Sequence, residues 1–425
     1  MSDALVVLLE DQVAGTLTRR RGGGLRFSYE ETYRGTADAT PLSLSMPLAL
    51  GEHGDAVVTP WLWGLLPDND QVLERWAKRF QVSPASPFSL LASPVGEDCA
   101  GAVRFVDAKD VDGALARTGT VAWLTDEEVA KRLRDLQADA TTWLGRNFTG
   151  QFSLGGAQAK TALLLQDGRW GVPGGALPTT HILKPAVAGL DDHDLNEHLC
   201  LDAASRTGLI VARTTVSRFE SETAIVVTRY DRRESAPREL TRIHQEDLCQ
   251  ALGTPPSRKY QNEGGPNPRQ IADLFRAVMP PSIARDAVQR FADALIWNWL
   301  IAGTDAHAKN YSLLLAGDQV RLAPLYDIAS ALPYDEHERK LKLAMKLGSS
   351  YDVYSRQNPW PGAARDLGLD GDALTARAHE LAMRAPGAFA EAATAPDVVA
   401  LERPLPERLA ELVAERAARC AALLD

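Results

Sequence analysis

Along the first third of the chain, apolar and β-forming positions come in short runs broken by turn residues. "ALVVLL" (Ala4–Leu9) and "GLRFSYEETY" (Gly24–Tyr33) flank the turn-prone "RRRGGG", and "PLSLSMPL" (Pro41–Leu48) alternates as a strand would. The segment "TPWLWGLLPDNDQVLERWAKRF" predicts a helix starting after the stop at Pro67-Asp68-Asn69, and "GEDCAGAVRF" returns to a short strand. In "LTDEEVAKRLRDLQ", Thr125 precedes acidic residues, with apolar positions at helical spacing, which is a capping-box helix.

From about 150 to 230 the alternation predicts β structure with one helix. "TALLLQDGRWGV" reads as a hairpin turning at Asp167-Gly168, and "THILKP" as a strand stopped by Pro185. "DLNEHLCLDAASRTGL" is an amphipathic helix ending at Gly208, followed by the strand "SETAIVVTRYDR". Beyond residue 240 helical periodicity dominates: Gln245–Leu252, Pro268–Val278, Ile283–Ala302 and several alanine-rich helices after them. Short strands are expected only at Tyr311–Leu315, Gln319–Leu322 and Lys340–Lys346. The switch from β-rich to α-rich near 235–255 predicts two lobes with a cleft between them, and residues 108–122 are the expected N-terminal boundary. The expected division is 1–122, 123–253 and 254–425.

Composition narrows the class. The 425 residues suit two or three packed units, and a net charge of −10 argues against tight direct binding to nucleic acid. It leaves open reaching DNA through a basic partner. The four cysteines are far apart, without zinc or disulfide spacing, and suit reduced cytosolic thiols. No apolar run approaches the roughly 18–20 residues of a membrane span, so a soluble cytoplasmic protein is expected.

The chemistry concentrates in "GTDAHAKN". An Asp (Asp305) followed five positions later by Asn (Asn310) is the arrangement that phosphoryl transfer from a nucleotide uses, the Asp toward the attacking hydroxyl and the Asn toward a metal ion. Asp327 in "LYDIASAL" could complete a Mg²⁺ site, or cap a helix starting at Ile328. In "FSLGGAQAK", Gly155 and Gly156 free backbone N–H groups for phosphate, although the spacing is not a Walker A loop. Lys184 could neutralise phosphate charge with Glu197 holding it, or be a solvated lysine at a strand edge. The order of these elements is the one a bilobal kinase needs.

These residues also resemble the HipA family, serine/threonine kinases that act as toxins in bacterial toxin–antitoxin pairs. The resemblance runs through "PLSLSMPL", "LLPDN", "GEDCAGAV", "FSLGGAQAKTALL", "HILKP", "NEHLCLDAASRTGL", "YDRR", "HQEDLCQALG", "KYQNEGGP", "GTDAHAKN", "LYDIASAL" and "LKLAMKLG", roughly residues 40–350. It implies an α/β (α+β), bilobal protein-kinase-like fold with an N-terminal β-rich subdomain and a helical C-terminal lobe. It further implies Asp305 as catalytic base, Asn310 and Asp327 as Mg²⁺ ligands, and Lys184 on the ATP phosphates. The loop Ser153, Leu154, Gly155, Gly156, Ala157 and Gln158 would lie over the nucleotide, with Thr228, Arg229 and Tyr230 at the adenine linker. Ser153 matches the family's autophosphorylated serine, an off switch. His307 could orient Asp305, contact phosphate or pack the loop. Ala159 departs from the bulkier or acidic residue common before the lysine. The implied partner is a small helix-turn-helix antitoxin (HipB-like) carrying the toxin to operator DNA, and glutamyl-tRNA synthetase is a protein substrate associated with the family. The alternatives are a small-molecule phosphotransferase, disfavoured by Gly303 where those enzymes usually have histidine, and a catalytically idle co-repressor.

Overall fold

The computed structural model describes residues 3–116, 119–236, 239–335 and 340–425. The N-terminal subdomain is a five-stranded antiparallel sheet in the spatial order Glu52–Gly54, Leu25–Tyr29, Gln12–Arg19, Ala4–Leu9 and Val103–Val106. The helices Asp55–Gly64 and Asp70–Phe80 belong to the same subdomain, and Trp61 and Trp76 are fully buried in its core. Asn69 caps the second helix by accepting from Val72 N at 3.2 Å, as the Pro-Asp-Asn stop predicts. "PLSLSMPL" is not a strand; it makes a single bridge between Ser43 and Met46. Its polar groups serve tertiary contacts instead of a ladder: Leu44 N and Ser43 Oγ both donate to the Glu246 carboxylate.

The second unit is a six-stranded antiparallel sheet, ordered Thr214–Phe219, Glu222–Thr228, His181–Lys184, Thr161–Gln166, Arg169–Gly175 and Gly119–Trp123. The predicted hairpin is present, with Asp167 and Gly168 both at positive φ. The helix Asp126–Ala138 starts with the predicted capping box, Thr125 and Glu128 bonding reciprocally. The Lys184 strand is internal, paired on both sides, so the edge-lysine reading fails. The helix His193–Arg206 lies against this sheet, where its buried face meets the Thr214–Phe219 strand.

The third unit is helical. Pro281–Leu300 runs through its core, surrounded by Pro268–Val278, Trp360–Leu367, Gly371–Ala393 and Leu405–Leu424. A three-stranded sheet, His244–Asp247, Ser312–Ala316 and Gln319–Leu322, faces the cleft side. The helix expected over Gln245–Leu252 is therefore half wrong. Residues 244–247 pair with the strand after the Asp305 loop, and only Leu248–Ala251 is helical, capped by Asp247. Among the described residues no helix is long and apolar enough to cross a membrane.

Candidate active site

The Lys184 strand and the helix beside it aim an ammonium and a carboxylate at each other in the interior. Lys184 Nζ lies 2.8 and 3.0 Å from the two Glu197 oxygens and 2.6 Å from Asp327 Oδ1. Burial alone would favour a neutral lysine, but Asp327 and Glu197 hold it charged. Asp327 stays ionised well below the usual carboxylate range although burial opposes it, because Lys184 and Lys160 are close. No helix starts at Ile328, so Asp327 caps nothing. Its φ of 57° is the left-handed conformation, costly for a residue with a side chain.

Across the cleft, the Asp305 loop leaves the end of the long buried helix. A β carbon at Gly303 would stand 2.3 Å from Asn298 Oδ1, so any side chain here requires Asn298 to shift. Asn310 donates its amide to the Asp305 carbonyl at 2.8 Å, which leaves its carboxamide oxygen for another ligand. The Asp305 side chain is 69% exposed and accepts a hydrogen bond from the Tyr260 hydroxyl. His307 Nε2 stands 3.9 Å from Asp305 Oδ1, beyond hydrogen-bond reach. The imidazole is buried, its pKa pushed down by that burial, and it packs edge-on against the Tyr260 ring at 4.9 Å. His307 thus supports the tyrosine that holds Asp305.

The glycine loop closes the site from above. Leu154, Gly155 and Gly156 line a cavity of about 140 Å³ with Lys184, Asp327, Asn310 and the Thr228–Tyr230 linker. Ala157 and Gln158 line a second, adjoining cavity that Asp305 opens into. Ser153 lies behind the loop and not on the cavity wall: it is fully buried, its hydroxyl donating to Leu65 O at 2.8 Å. Of the linker residues, Arg229 contributes no free side chain. Its guanidinium is bound by Asp231, Thr179 and the Cys99 carbonyl, within a network that also holds Asp98, Arg232 and Arg242. That network welds the N-terminal subdomain to the linker.

Sequence reasoning did not assign Tyr260, Lys259, Lys309 or Asp68. Lys309 Nζ and Lys259 Nζ approach Asp68 at 2.6 and 3.0 Å, and Asp68 N donates to Gly156 O at 3.0 Å. The signals were the polar residues inside "KYQNEGGP", "GTDAHAKN" and "LLPDN", segments distant in sequence whose meeting no local pattern announces.

Residues 152–389 match the HipA-like C-terminal domain, and residues 5–106 match the HipA N-terminal domain. The chain belongs to the HipA family. It is 30% identical over 387 residues to the serine/threonine-protein kinase toxin HipA of Shewanella oneidensis, covering 88% of this chain and 84% of the relative. A Sinorhizobium fredii protein, Y4mE, whose name describes it only as a candidate kinase, is 35% identical over 86% of both chains. Among solved structures, the chain is similar to HipA in the Shewanella oneidensis complex of HipA, HipB and operator DNA. That match has a TM-score of 0.81 and 27% identity, and covers 99% of this chain and 96% of the other. The kinase-like, two-lobed fold with its additional N-terminal subdomain is therefore the HipA architecture.

Proposed function

We propose that this HipA-family chain is an ATP- and Mg²⁺-dependent serine/threonine protein kinase, acting in the cytoplasm as the growth-inhibiting toxin of a toxin–antitoxin pair. The observation that carries the reading is Lys184, bound to Glu197 and Asp327, facing His307, Lys309 and Asn310 across one cavity, with Asp305 of the same loop on the adjoining one. In this reading the apolar wall of Ile182 and Val227, with the 228–230 linker, takes the adenine, and the loop from Leu154 to Gln158 covers the phosphates. Lys184 neutralises phosphate charge. The donor set fits Mg²⁺: Asp327 keeps one oxygen beyond its bond to Lys184, and Asn310 keeps its carboxamide oxygen. The ion, when bound, neutralises charge on the transferring phosphate. Asp305, steadied by Tyr260, accepts the proton of the attacking hydroxyl at the exposed mouth of the cleft.

Autophosphorylation at Ser153 would act as the off switch. The hydroxyl now donates to a buried carbonyl. A phosphate there has no proton to donate and carries about −1.5 to −2 charge, so the loop could not return to this seat. The partner is a helix-turn-helix antitoxin resembling HipB, through which the acidic chain reaches operator DNA. Glutamyl-tRNA synthetase is the first protein substrate to try.

The test is transfer from labelled Mg–ATP to a panel of proteins, peptides and aminoglycosides, together with growth on expression. Protein labelling and growth arrest, both lost in Asp305→Ala, are expected. Full toxicity in Asp305→Ala, or labelling of aminoglycosides alone, would contradict the kinase-toxin reading.

A further inference from the structure

The cavity holds a second ionic cluster that the reading above leaves unused. Lys309 and Lys259 share a single carboxylate, Asp68, at 2.6 and 3.0 Å. All three are largely buried, the Lys309 side chain at 4% exposure. Two ammonium groups on one carboxylate leave a positive charge over, and a buried charge requires a partner. The neighbouring carboxyl of Asp247 offsets part of this charge through space, but its own hydrogen bond goes to Gln250 N at 2.9 Å, in the cap of Leu248–Ala251. The surplus is aimed at a particular place. Lys309 lines the cavity with Asn310 and Asp327, and its Nζ lies 3.5 Å from where a β carbon on Gly155 would be, directly under the glycine loop.

Asp68 also joins three segments that are far apart in sequence. Its side chain holds Lys309 of the Asp305 loop and Lys259 beside Tyr260, and its N–H holds the Gly156 carbonyl. The Lys259 carbonyl in turn accepts from Ala308 N at 3.3 Å.

We infer that Lys309 is a ligand of the phosphate being transferred, and that Asp68 is the positioning residue that holds it there from the N-terminal subdomain. This rests on the kinase reading above. The lysine comes from the Asp305 loop, whereas Lys184 comes from the six-stranded sheet, so two elements supply cations to one cavity. The N-terminal subdomain is then part of the active site, and phosphoryl transfer depends on its docking.

The test is calorimetric binding of Mg–ATP and Mg–ADP to the full chain, with turnover measured alongside. A ligand of the terminal phosphate discriminates between the two nucleotides. Lys309→Met should weaken ATP about tenfold or more and ADP less than about threefold, the loss of one charge-assisted bond. Lys309→Arg should recover part of the discrimination. Asp68→Asn, which keeps the side-chain shape and frees both lysines, should bind ATP at least as tightly as wild type yet turn over about tenfold more slowly. This split is one that a merely structural salt bridge would not produce. If Lys309→Met does not fold, the Arg and Asn variants carry the same comparison. An unchanged ATP-to-ADP ratio, or equal loss of both nucleotides, would overturn the inference while leaving the kinase reading intact. A wild-type chain that binds neither nucleotide would overturn both.

Discussion

Two kinds of buried ionic cluster surround the linker, and they are built from different cations. Behind it, Asp98 and Asp231 are gripped by Arg229, Arg232 and Arg242, with further bonds from Gly101 N and the Thr179 hydroxyl and to the Cys99 carbonyl. In front of it, two lysine clusters reach the cavity walls: Lys184 with Glu197 and Asp327, and Lys309 and Lys259 with Asp68. Arginine's rigid fork satisfies carboxylates and carbonyls together. Lysine is a point charge on a flexible stem, able to turn from a carboxylate to a phosphate. The arginine cluster is tied together by forked bonds, whereas the lysines each present a point charge at a cavity wall that a ligand can reach. The difference separates architecture from chemistry within one small volume.

The largest expected effect is on the lysine side. Asp305→Ala or Lys184→Met should lower phosphoryl transfer by a factor of about 10³ or more while shifting unfolding free energy little for Asp305, whose side chain is mostly exposed. Paired turnover and denaturant curves measure both. The arginine side should behave the opposite way. Asp98→Ala leaves three arginines without a partner they now share, and should cost about 3–5 kcal/mol of stability by chemical denaturation.

Two buried carboxyls, Asp98 in the arginine cluster and Glu246 outside the clusters, predict opposite pH behaviour. Burial would raise the Asp98 pKa, but Arg232, Arg229 and Arg242 overcome it and hold the carboxylate below its ordinary value of 3.8. Its stabilising contribution is therefore present at neutral pH and is lost as pH falls below about 4, and Asp98→Asn should flatten that acid limb. Glu246 has no ion pair among the described residues. Burial pushes it up to about 8, so its contribution is fullest below the ordinary value of 4.5 and is lost as pH rises toward 8. Glu246→Gln should flatten stability across that window, read as melting temperature against pH. The smallest effect sharpens the cation argument: Arg232→Lys keeps the charge but loses the fork that spans Asp98, the Gly101 carbonyl and the Cys99 carbonyl. It should destabilise by about 1–3 kcal/mol and leave transfer activity near wild type.

How far the sequence could be read follows from the same division. Local chemistry was legible: the Thr125 capping box, the Asp167-Gly168 hairpin, the Asn69 stop and the spacing of Asp305 to Asn310 each sit within a few residues. Elements whose fate is decided by distant partners were not. "PLSLSMPL" alternates like a strand, but Ser43 and Leu44 are claimed by Glu246, some 200 residues on. Gln245–Leu252 reads as helix, yet its start is taken by the strand Ser312–Ala316. The helix Asp55–Gly64 carries Pro60 and apolar residues on most faces, so it lacks a clear periodicity. In the site, Lys184 and Glu197 could be proposed from order along the chain. The Asp68–Lys309–Lys259 meeting could not, because it joins three segments that only the folded chain brings together.

The most direct test of the central claim, that the open lysine–carboxylate cavity is a phosphoryl-transfer site, is the intact mass of the purified protein before and after Mg–ATP. The account predicts a phosphate gained on Ser153 in the wild type and none in Asp305→Ala. Phosphate gained equally by Asp305→Ala, or no gain by an unmodified wild type that also fails to label any protein, would contradict it.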